Sequence, residues 1–184
     1  MNKLLFSTLC LVLFSISVVS YAQDGDAFGF DSRGLFCAQD ETKDYAVFEM
    51  PNLSAAEIKA ALFTKLSSMF KSPKDVITII SDGIIQLEGY ASRVYYDTRD
   101  TASLPADLSF TIIIQIKDCK VRYNVPTVNQ IYLQNFPILG TARLNMEKPL
   151  SSLVEKDSNR ASVAEYFNNL VNILNSSIRA SDEW

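Results

Sequence analysis

Three aspartates, Asp97, Asp100 and Asp107, are the residues of this sequence best placed for acid–base chemistry. They follow one another closely in a polar stretch, and a pair of carboxylates can divide the roles of general acid and general base. Aspartate is also common in turns, which explains the same stretch without any chemistry. The chain contains no histidine, so histidine-based triads, histidine general bases and the commonest metal ligand are all excluded.

Serine nucleophiles have no better support. A nucleophile needs an activating base, and Ser67 and Ser68 have only Lys65 and Lys71 nearby, in a pattern typical of a solvated helix face. The sequence has no glycine-rich phosphate loop and no cysteine–histidine spacing typical of a metal site. We therefore expect a protein that is not an enzyme and that has no catalytic residue, no cofactor and no metal ion.

The N-terminus has the pattern of an export signal. A short basic start ending at Lys3 precedes an uncharged apolar run over residues 4–19, which is shorter than the ~20 residues of a spanning helix. Small residues near its end predict signal-peptidase cleavage between Ala22 and Gln23. We expect residues 1–22 to be removed and the rest to be exported, to the periplasm or outside the cell, with no stable membrane span.

Two cysteines, Cys37 and Cys119, remain after that cleavage, because Cys10 lies in the removed run. Disulfides form in oxidising compartments, so export permits a bridge between the two. Closing so long a loop stabilises the fold by ~4 kcal/mol in the chain-entropy model. Two unrelated thiols fit the sequence equally well, because nothing in it shows that the two residues are close in space.

The chain is acidic. It has 17 basic and 21 acidic residues for a net charge of −4, and removal of the signal takes away one lysine and no acid, leaving −5. An acidic protein has no electrostatic attraction to nucleic acid or to an anionic membrane surface. Nucleic acid is therefore not an expected partner.

The elements that must position these residues begin with an arm, a strand and a helix. Residues 23–44 are polar and are interpreted as an N-terminal arm, and residues 45–50 as a short strand. Ser54 and Glu57 have the spacing of a capping box, which begins a helix over 53–70. The apolar residues of that helix recur at helical spacing and so lie on one face.

A hairpin and a loop follow. Asp82-Gly83, a dipeptide typical of tight hairpin turns, separates two runs of β-branched and apolar residues. The second of these strands extends to residue 96. Residues 97–107 are polar and contain Pro105, so we predict a loop there.

Further strands and a long helix complete the pattern. Residues 108–117 alternate apolar and polar side chains, as in an antiparallel strand with one buried face. A turn at Asp118-Cys119 leads to a similar strand over 121–125. The pattern is weaker over 127–149, and residues 158–180 carry an apolar stripe at helical spacing.

These elements predict an α+β fold, in which an antiparallel sheet is covered on one side by the N-terminal helix and the long C-terminal helix. Strands joined by tight turns pair antiparallel, and each strand has one apolar face for helices to cover. Such a helix-grip-like arrangement makes a single domain of residues 45–184, preceded by the signal and the arm.

Several of these motifs together resemble a known family. They are the strand over 45–49, the capped helix from Ser54, the β-branched run over 76–80 with its Asp82-Gly83 turn, and the strand pair that ends at Val125. The pattern over about residues 45–133 resembles the domain of unknown function 4468 family of exported bacterial proteins, which is described as having a TBP-like fold. The resemblance implies that fold and an exported setting. It implies no activity, because the family has none assigned, and the fold name does not imply DNA binding.

Two binding functions fit these expectations. In the first, the protein is an exported, non-catalytic interaction module that contacts a cell-envelope protein through its open sheet face or an edge strand. Ile113 and Tyr90 are the residues on that face which suggest it, and their neighbours are polar or basic: Thr111, Gln115, Lys117 and Arg122. An ordinary solvated sheet face has the same composition.

In the second function, the C-terminal helix closes a cavity for a small apolar ligand, as in a helix-grip container. The reason is the supply of aromatic side chains, although such side chains also fill ordinary cores. They are Tyr90, Tyr95, Tyr96, Tyr123, Tyr166 and Phe167.

One modification is also predicted. Asp100-Thr101-Ala102 resembles an acceptor pattern for O-glycans on exported proteins of some anaerobic Gram-negative bacteria. Thr101 lies in the predicted loop, where a modifying enzyme can reach it. Matches of three residues also arise by chance.

Overall fold

A computed structural model describes residues 25–99, 102–136, 140–144, 146 and 149–180. Its strands are β1 Phe28–Asp31, β2 Gly34–Cys37, β3 Tyr45–Glu49, β4 Ile77–Ser81, β5 Ile84–Arg99, β6 Ala102–Lys117, β7 Lys120–Asn124, β8 Thr127–Phe136 and β9 Gly140–Arg143. Its helices are α1 Ala55–Met69, α2 Pro73–Val76, α3 Leu150–Leu153 and α4 Asp157–Arg179. No helix within these residues is long and apolar enough to cross a membrane.

Seven of the strands form one antiparallel sheet, with β6 at its centre. The order is β3-β7-β6-β5-β4, and β8 pairs with both β6 and β9. β7 and β8 lie one after the other along the same side of β6, because residues 114–117 of β6 pair with β7 and residues 106–111 pair with β8. The predicted α+β fold with an antiparallel sheet is confirmed.

The loop predicted over 97–107 is wrong where the structure describes this segment. Asp97 pairs with Leu104 and Thr98 with Ser103, so β5 and β6 continue as strands through most of it. Pro105 is accommodated because β8 pairs with β6 only from Ala106 onwards, and a missing amide donor is tolerated where one side of a strand is unpaired. The polar composition reflects paired strands with some solvated positions, such as Thr98 and Ser103, rather than a loop.

Helix α1 begins where the sequence predicts. The Ser54 hydroxyl oxygen accepts from the Glu57 amide at 3.4 Å, and the Glu57 carboxylate accepts from the Ser54 amide at 2.8 Å, which completes the capping box. The Asp118 carboxylate, in the turn after β6, accepts a further bond from the Ala55 amide at 2.8 Å. The start of the helix is therefore held by its own cap and by the sheet.

The core lies between one face of the sheet and helices α1 and α4. The rings of Phe110 in β6 and Phe167 in α4 meet edge to face, with centroids 5.2 Å apart. Gly89 in β5 lies beside Phe110, and a Cβ atom added there would come within 2.2 Å of the ring. Alternate residues of β6 are buried toward the helices: Leu108, Phe110, Ile112, Ile114 and Ile116.

Part of the predicted N-terminal arm forms the hairpin β1–β2, which packs on α4. The side chain of Asn168 in α4 bonds both backbone groups of Phe28: it accepts from the amide at 2.9 Å and donates to the carbonyl at 3.0 Å. Ala27, Phe28 and Cys37 are buried there. Helix α4 therefore has a second buried contact in addition to the sheet.

Candidate binding site on the open sheet face

The helices leave one face of the sheet uncovered, and we call it the open face. It carries the β6 side chains that alternate with the core, namely Asp107, Ser109, Thr111, Ile113 and Gln115. All of these except Asp107 are partly exposed. Ile113 therefore lies among polar neighbours, as the alternation predicts.

A break in the pairing of β5 with β6 shapes one end of the open face. The register shifts between Ala91 and Tyr95, and Arg93 between them has a φ of 54°, a left-handed conformation that is uncommon outside glycine. The Arg93 amide donates to Oδ1 of Asp107 at 2.7 Å. The bulge thus turns a backbone donor toward an acidic side chain instead of a strand carbonyl.

Asp107 accepts two more hydrogen bonds, both from side chains. The Tyr90 hydroxyl and the Gln134 side-chain amide each donate to its Oδ2 at 2.6 Å. Thr141 in β9 donates in turn to the Gln134 carbonyl oxygen at 3.1 Å. Because Asp107 is only 4% exposed, these charge-assisted bonds are strong, and they link β5, β6, β8 and β9 in one arrangement.

The pKa values of Tyr90 and Asp107, which share a hydrogen bond in this network, are shifted in opposite directions. Burial by itself raises the pKa of Asp107, but the bonds from Tyr90, the Arg93 amide and Gln134, together with the Arg93 charge, outweigh it and hold the pKa below its usual value. Burial, and then the bond to the Asp107 carboxylate, raise the pKa of Tyr90 to about 12. Tyr90 is therefore a neutral donor and Asp107 a charged acceptor at neutral pH.

Tyrosines and arginines surround the buried carboxylate. The rings of Tyr90 and Tyr132 are 5.8 Å apart between centroids, and the Arg143 guanidinium lies 5.4 Å from the Tyr132 ring. Tyr90 and Tyr96 are each 52% exposed. We call the following residues the Asp107 cluster: Tyr90, Arg93, Asp107, Tyr132, Gln134 and Arg143.

A second arginine–tyrosine stack lies at the other end of the open face, on β3 and β7. The Arg122 guanidinium is 3.5 Å from the centroid of the Tyr45 ring, and one of its nitrogens is 3.8 Å from the Asp44 carboxylate. Tyrosine and arginine are enriched in the cores of protein interfaces. Both ends of the open face thus carry residue types that bind proteins.

The aspartates do not form an acid–base pair in the part of the chain that the structure describes. Asp97 is paired with Leu104, which is buried in the core, so Asp97 lies on the helix side of the sheet. Asp107 lies on the open face, and Asp100 is outside the described residues. Side chains on opposite faces of a sheet cannot share a substrate atom, so Asp97 and Asp107 cannot act together as acid and base, a possibility that the sequence left open.

The predicted processing and modification sites stay predictions. Ala22, Gln23 and Thr101 lie outside the described residues. Within the described residues, no group of three or more acidic or cysteine side chains is arranged to hold a metal ion.

The bridge that the sequence permits between Cys37 and Cys119 is not formed in the structure, and both are free thiols. Cys37 is buried in β2, in the hairpin that packs on α4, whereas Cys119 is exposed in the turn between β6 and β7. That turn is bound to the segment before α1: the Cys119 amide donates to the Leu53 carbonyl at 2.8 Å, and the Met50 amide to the Cys119 carbonyl at 2.7 Å. The two cysteines therefore belong to different parts of the fold.

The aromatic side chains that suggested a container are divided between the two faces of the sheet. Tyr123 and Phe167 are fully buried in the core, where the Tyr123 hydroxyl lies 2.9 Å from the Asn175 side-chain oxygen. Tyr90 and Tyr96 are exposed. An open groove of about 750 Å³ lies elsewhere, between α1 and the β4–β5 turn, and its apolar lining includes Ala56, Ala60, Phe63, Ile79 and Ile116.

Two solved structures are similar to this chain. One is a TBP-like protein from Parabacteroides distasonis, with 14% sequence identity, a TM-score of 0.48, and coverage of 76% of this chain and 91% of that one. The other is a DUF4468 family protein from Bacteroides ovatus, with 12% identity, a TM-score of 0.44, and coverage of 84% and 91%. The family and the fold that the sequence resembles are thus both found among the matching structures. Similarity at this level says nothing about what the protein binds.

Sequence comparisons add no further relatives: no protein-family model and no curated protein matches the chain.

Four members of the Asp107 cluster were not predicted from the sequence: Arg93, Tyr132, Gln134 and Arg143. The last three lie on β8 and β9, in the stretch where the strand pattern is weak. A signal was present, because residues 130–134 alternate polar and apolar side chains like a half-buried strand.

Proposed function

We propose that this protein is an exported, non-catalytic module that binds a protein of the cell envelope through its open face. The Asp107 cluster is the observation that supports it, because three donors on one buried carboxylate hold exposed tyrosine and arginine residues in place. Residues held in position before binding lose less conformational entropy when a partner arrives. Tyrosine and arginine are also the residue types that dominate binding energy at protein interfaces.

The same cluster is poorly suited to catalysis. The carboxylate of Asp107 already accepts three hydrogen bonds, and its lowered pKa makes it a weak base. Asp97, the other described aspartate of that stretch, lies on the other side of the sheet. Turnover of an ester, a glycan or a peptide that disappears in Asp107→Asn would contradict the non-catalytic assignment.

Capture of a partner from the envelope of the native host tests the binding role. Tyr96→Ala combined with Ile113→Ser alters the open face without touching the bonds to Asp107, and we expect this variant to lose the partner. Phe63→Ala combined with Ile173→Ala alters exposed residues of α1 and α4 and should retain it. Retention by the first variant, or loss by the second alone, would show that the open face is not the binding surface.

The export step has its own measurement. Protein isolated from its host should have Gln23 as its first residue, as determined by N-terminal sequencing or intact mass. A chain that still carries residues 1–22 would contradict export with cleavage.

The alternative function, a container for a small apolar ligand, has one observation in its favour, the groove between α1 and the β4–β5 turn. Native mass spectrometry of gently extracted protein tests it. A bound lipid that is lost in Phe63→Asp supports the container, and an empty protein argues against it.

A further inference from the structure

Two guanidiniums of the Asp107 cluster have no carboxylate oxygen within 4 Å among the residues that the structure describes, although the Arg93 charge attracts that of Asp107 from further away. Arg93 and Arg143 form no salt bridge there, whereas Arg33, Arg122 and Arg160 each have a carboxylate oxygen within 3.8 Å. The charges of these three arginines are thus paired within the protein. These two positive charges are left for a ligand.

The acidic side chains near these arginines accept hydrogen bonds from other groups of the protein. Asp107 is buried and accepts three hydrogen bonds from within the protein. Glu88, on the same face of β5, accepts from the Gln86 side-chain amide at 2.7 Å. Although the whole chain has a net charge of −4, the six residues of the Asp107 cluster carry a formal charge of +1, because Arg93 and Arg143 stand against Asp107 alone, and both arginines are exposed.

Both arginines are held in a way that favours recognition of a carboxylate. The Arg143 guanidinium lies 5.4 Å from the centroid of the Tyr132 ring, a cation–π contact that uses none of its N–H donors. The Arg93 backbone is fixed by its bond to Asp107. A guanidinium presented in this way can donate two parallel hydrogen bonds to one carboxylate.

We infer that the Asp107 cluster binds an acidic segment of a partner protein, with Arg93 and Arg143 donating to its carboxylates and Tyr90, Tyr96 and Tyr132 packing against its apolar atoms. The inference rests on the proposed function and names the chemistry of the partner. Exposed tyrosines beside arginines are typical of protein interfaces. A dense polyanion, such as nucleic acid or an anionic membrane, would be repelled by the acidic remainder of the chain, whereas a segment with a few carboxylates would not.

The probe for this inference is a pair of labelled synthetic peptides of twelve residues. One contains four glutamates and two phenylalanines among neutral residues, and the other has glutamine at each glutamate position. We expect fluorescence anisotropy to show that the mature protein binds the acidic peptide about tenfold more tightly than its glutamine counterpart, and that added salt reduces the difference. The Arg93 amide signal should shift on titration in an NMR spectrum.

Variants that each remove one positive charge show which residues bind the acidic peptide. Arg93→Gln and Arg143→Gln should each weaken binding of the acidic peptide about fivefold to tenfold, the loss expected of an interface arginine. Lys71→Gln and Lys74→Gln remove the same charge from exposed positions between α1 and β4, and should leave binding unchanged. Circular dichroism of each variant checks that the fold is retained.

Several results would overturn the inference. They are equal binding of the two peptides, no binding of either, an equal loss in the lysine controls, or stronger binding to vesicles containing anionic lipid than to the acidic peptide. The two proposals can fail separately. If Tyr96→Ala combined with Ile113→Ser loses the captured envelope partner while the two peptides bind equally, the proposed binding function is supported and the preference for acidic segments is contradicted.

Discussion

The buried carboxylate of Asp107 holds neighbouring strands of the open face together by accepting hydrogen bonds from them. Three donors from two strands, β5 and β8, meet on it, and they include a backbone amide that only the β5 bulge makes available. Removing the charge leaves these donors facing a group that cannot satisfy all of them. The cost of unsatisfied buried donors therefore determines what a substitution does here.

Asp107→Asn should lower the free energy of unfolding by about 1–3 kcal/mol at pH 7. Because the pKa of Asp107 in the folded protein lies below its ordinary value of 3.8, its contribution is complete above that value and disappears as the pH falls through the lower pKa. The difference between wild type and variant should therefore shrink between pH 5 and pH 2. Urea unfolding across this range measures it, and a difference that grows on acidification would contradict the assignment of a lowered pKa. Tyr90→Phe keeps the charge but removes the largest contribution that lowers the pKa of Asp107, so its stability should depend less on acid than that of the wild type.

The two cysteines should differ in reactivity. Cys119 is exposed and Cys37 is buried, so a thiol reagent should modify one thiol rapidly in the native protein and the second only after denaturation. The measurement is a thiol count without and with denaturant, in the absence of reductant. No reactive thiol in the denatured protein would mean that the bridge forms after all.

At the scale of elements, the hairpin β1–β2 is attached to the rest of the fold through one helix. Asn168 imitates a neighbouring strand by bonding both the amide and the carbonyl of Phe28. The side chain thereby satisfies two buried backbone groups that have no other partner in the described register of β1. Few other polar contacts of the hairpin are buried, so this asparagine governs its attachment.

Asn168→Ala should release the hairpin while leaving the sheet folded. We expect the exchange of the amides at residues 28–37 to accelerate by tenfold or more, about the effect of losing 1.4 kcal/mol of local stability, with little change in β6. Hydrogen exchange followed by mass spectrometry measures both regions in one experiment. Asn172→Ala on the same helix is the matched control, and equal acceleration in the two variants would refute the role of Asn168.

The elements with local signals were predictable, and the site was not. Ser54 and Glu57 mark the start of α1, and Asp82-Gly83 marks the β4–β5 turn, because caps and turns depend on residues that are close in sequence. Gln134 meets Asp107 only because β8 pairs with β6, and no local pattern records the register of strands that are 27 residues apart. The loop predicted over 97–107 failed for the related reason that a solvated strand and a loop have the same polar composition.

At the scale of the whole molecule, β6 is the strand on which the other parts depend. It pairs with β5 along one side and with β7 and β8 along the other, and its apolar side chains meet α4 through Phe110. The sheet, the helices and the open face thus share one central strand. A substitution beside Phe110 should therefore lower the stability of the whole fold, whereas a substitution of Asn168 should affect only the hairpin.

Gly89→Ala should lower the free energy of unfolding of the entire protein. A Cβ atom at this position would come within 2.2 Å of the Phe110 ring, and displacing a core ring costs about 1–3 kcal/mol. Thermal unfolding should shift by the same amount whether it is followed by a probe on the hairpin or on the sheet. Gly25→Ala, where nothing lies within 4 Å, is the control, and a loss confined to one region would contradict the central role of β6.

The contact between Phe28 and Asn168 spans 140 residues of sequence, and this separation sets an order of events during folding. β1 is the first of the described elements in the chain, and α4, the helix that buries it, is the last. Contacts of such high sequence separation form slowly, because a long loop must close before they contribute. Phe28 therefore stays uncovered during folding until α4 has docked, so the first described element is closed only by the last one.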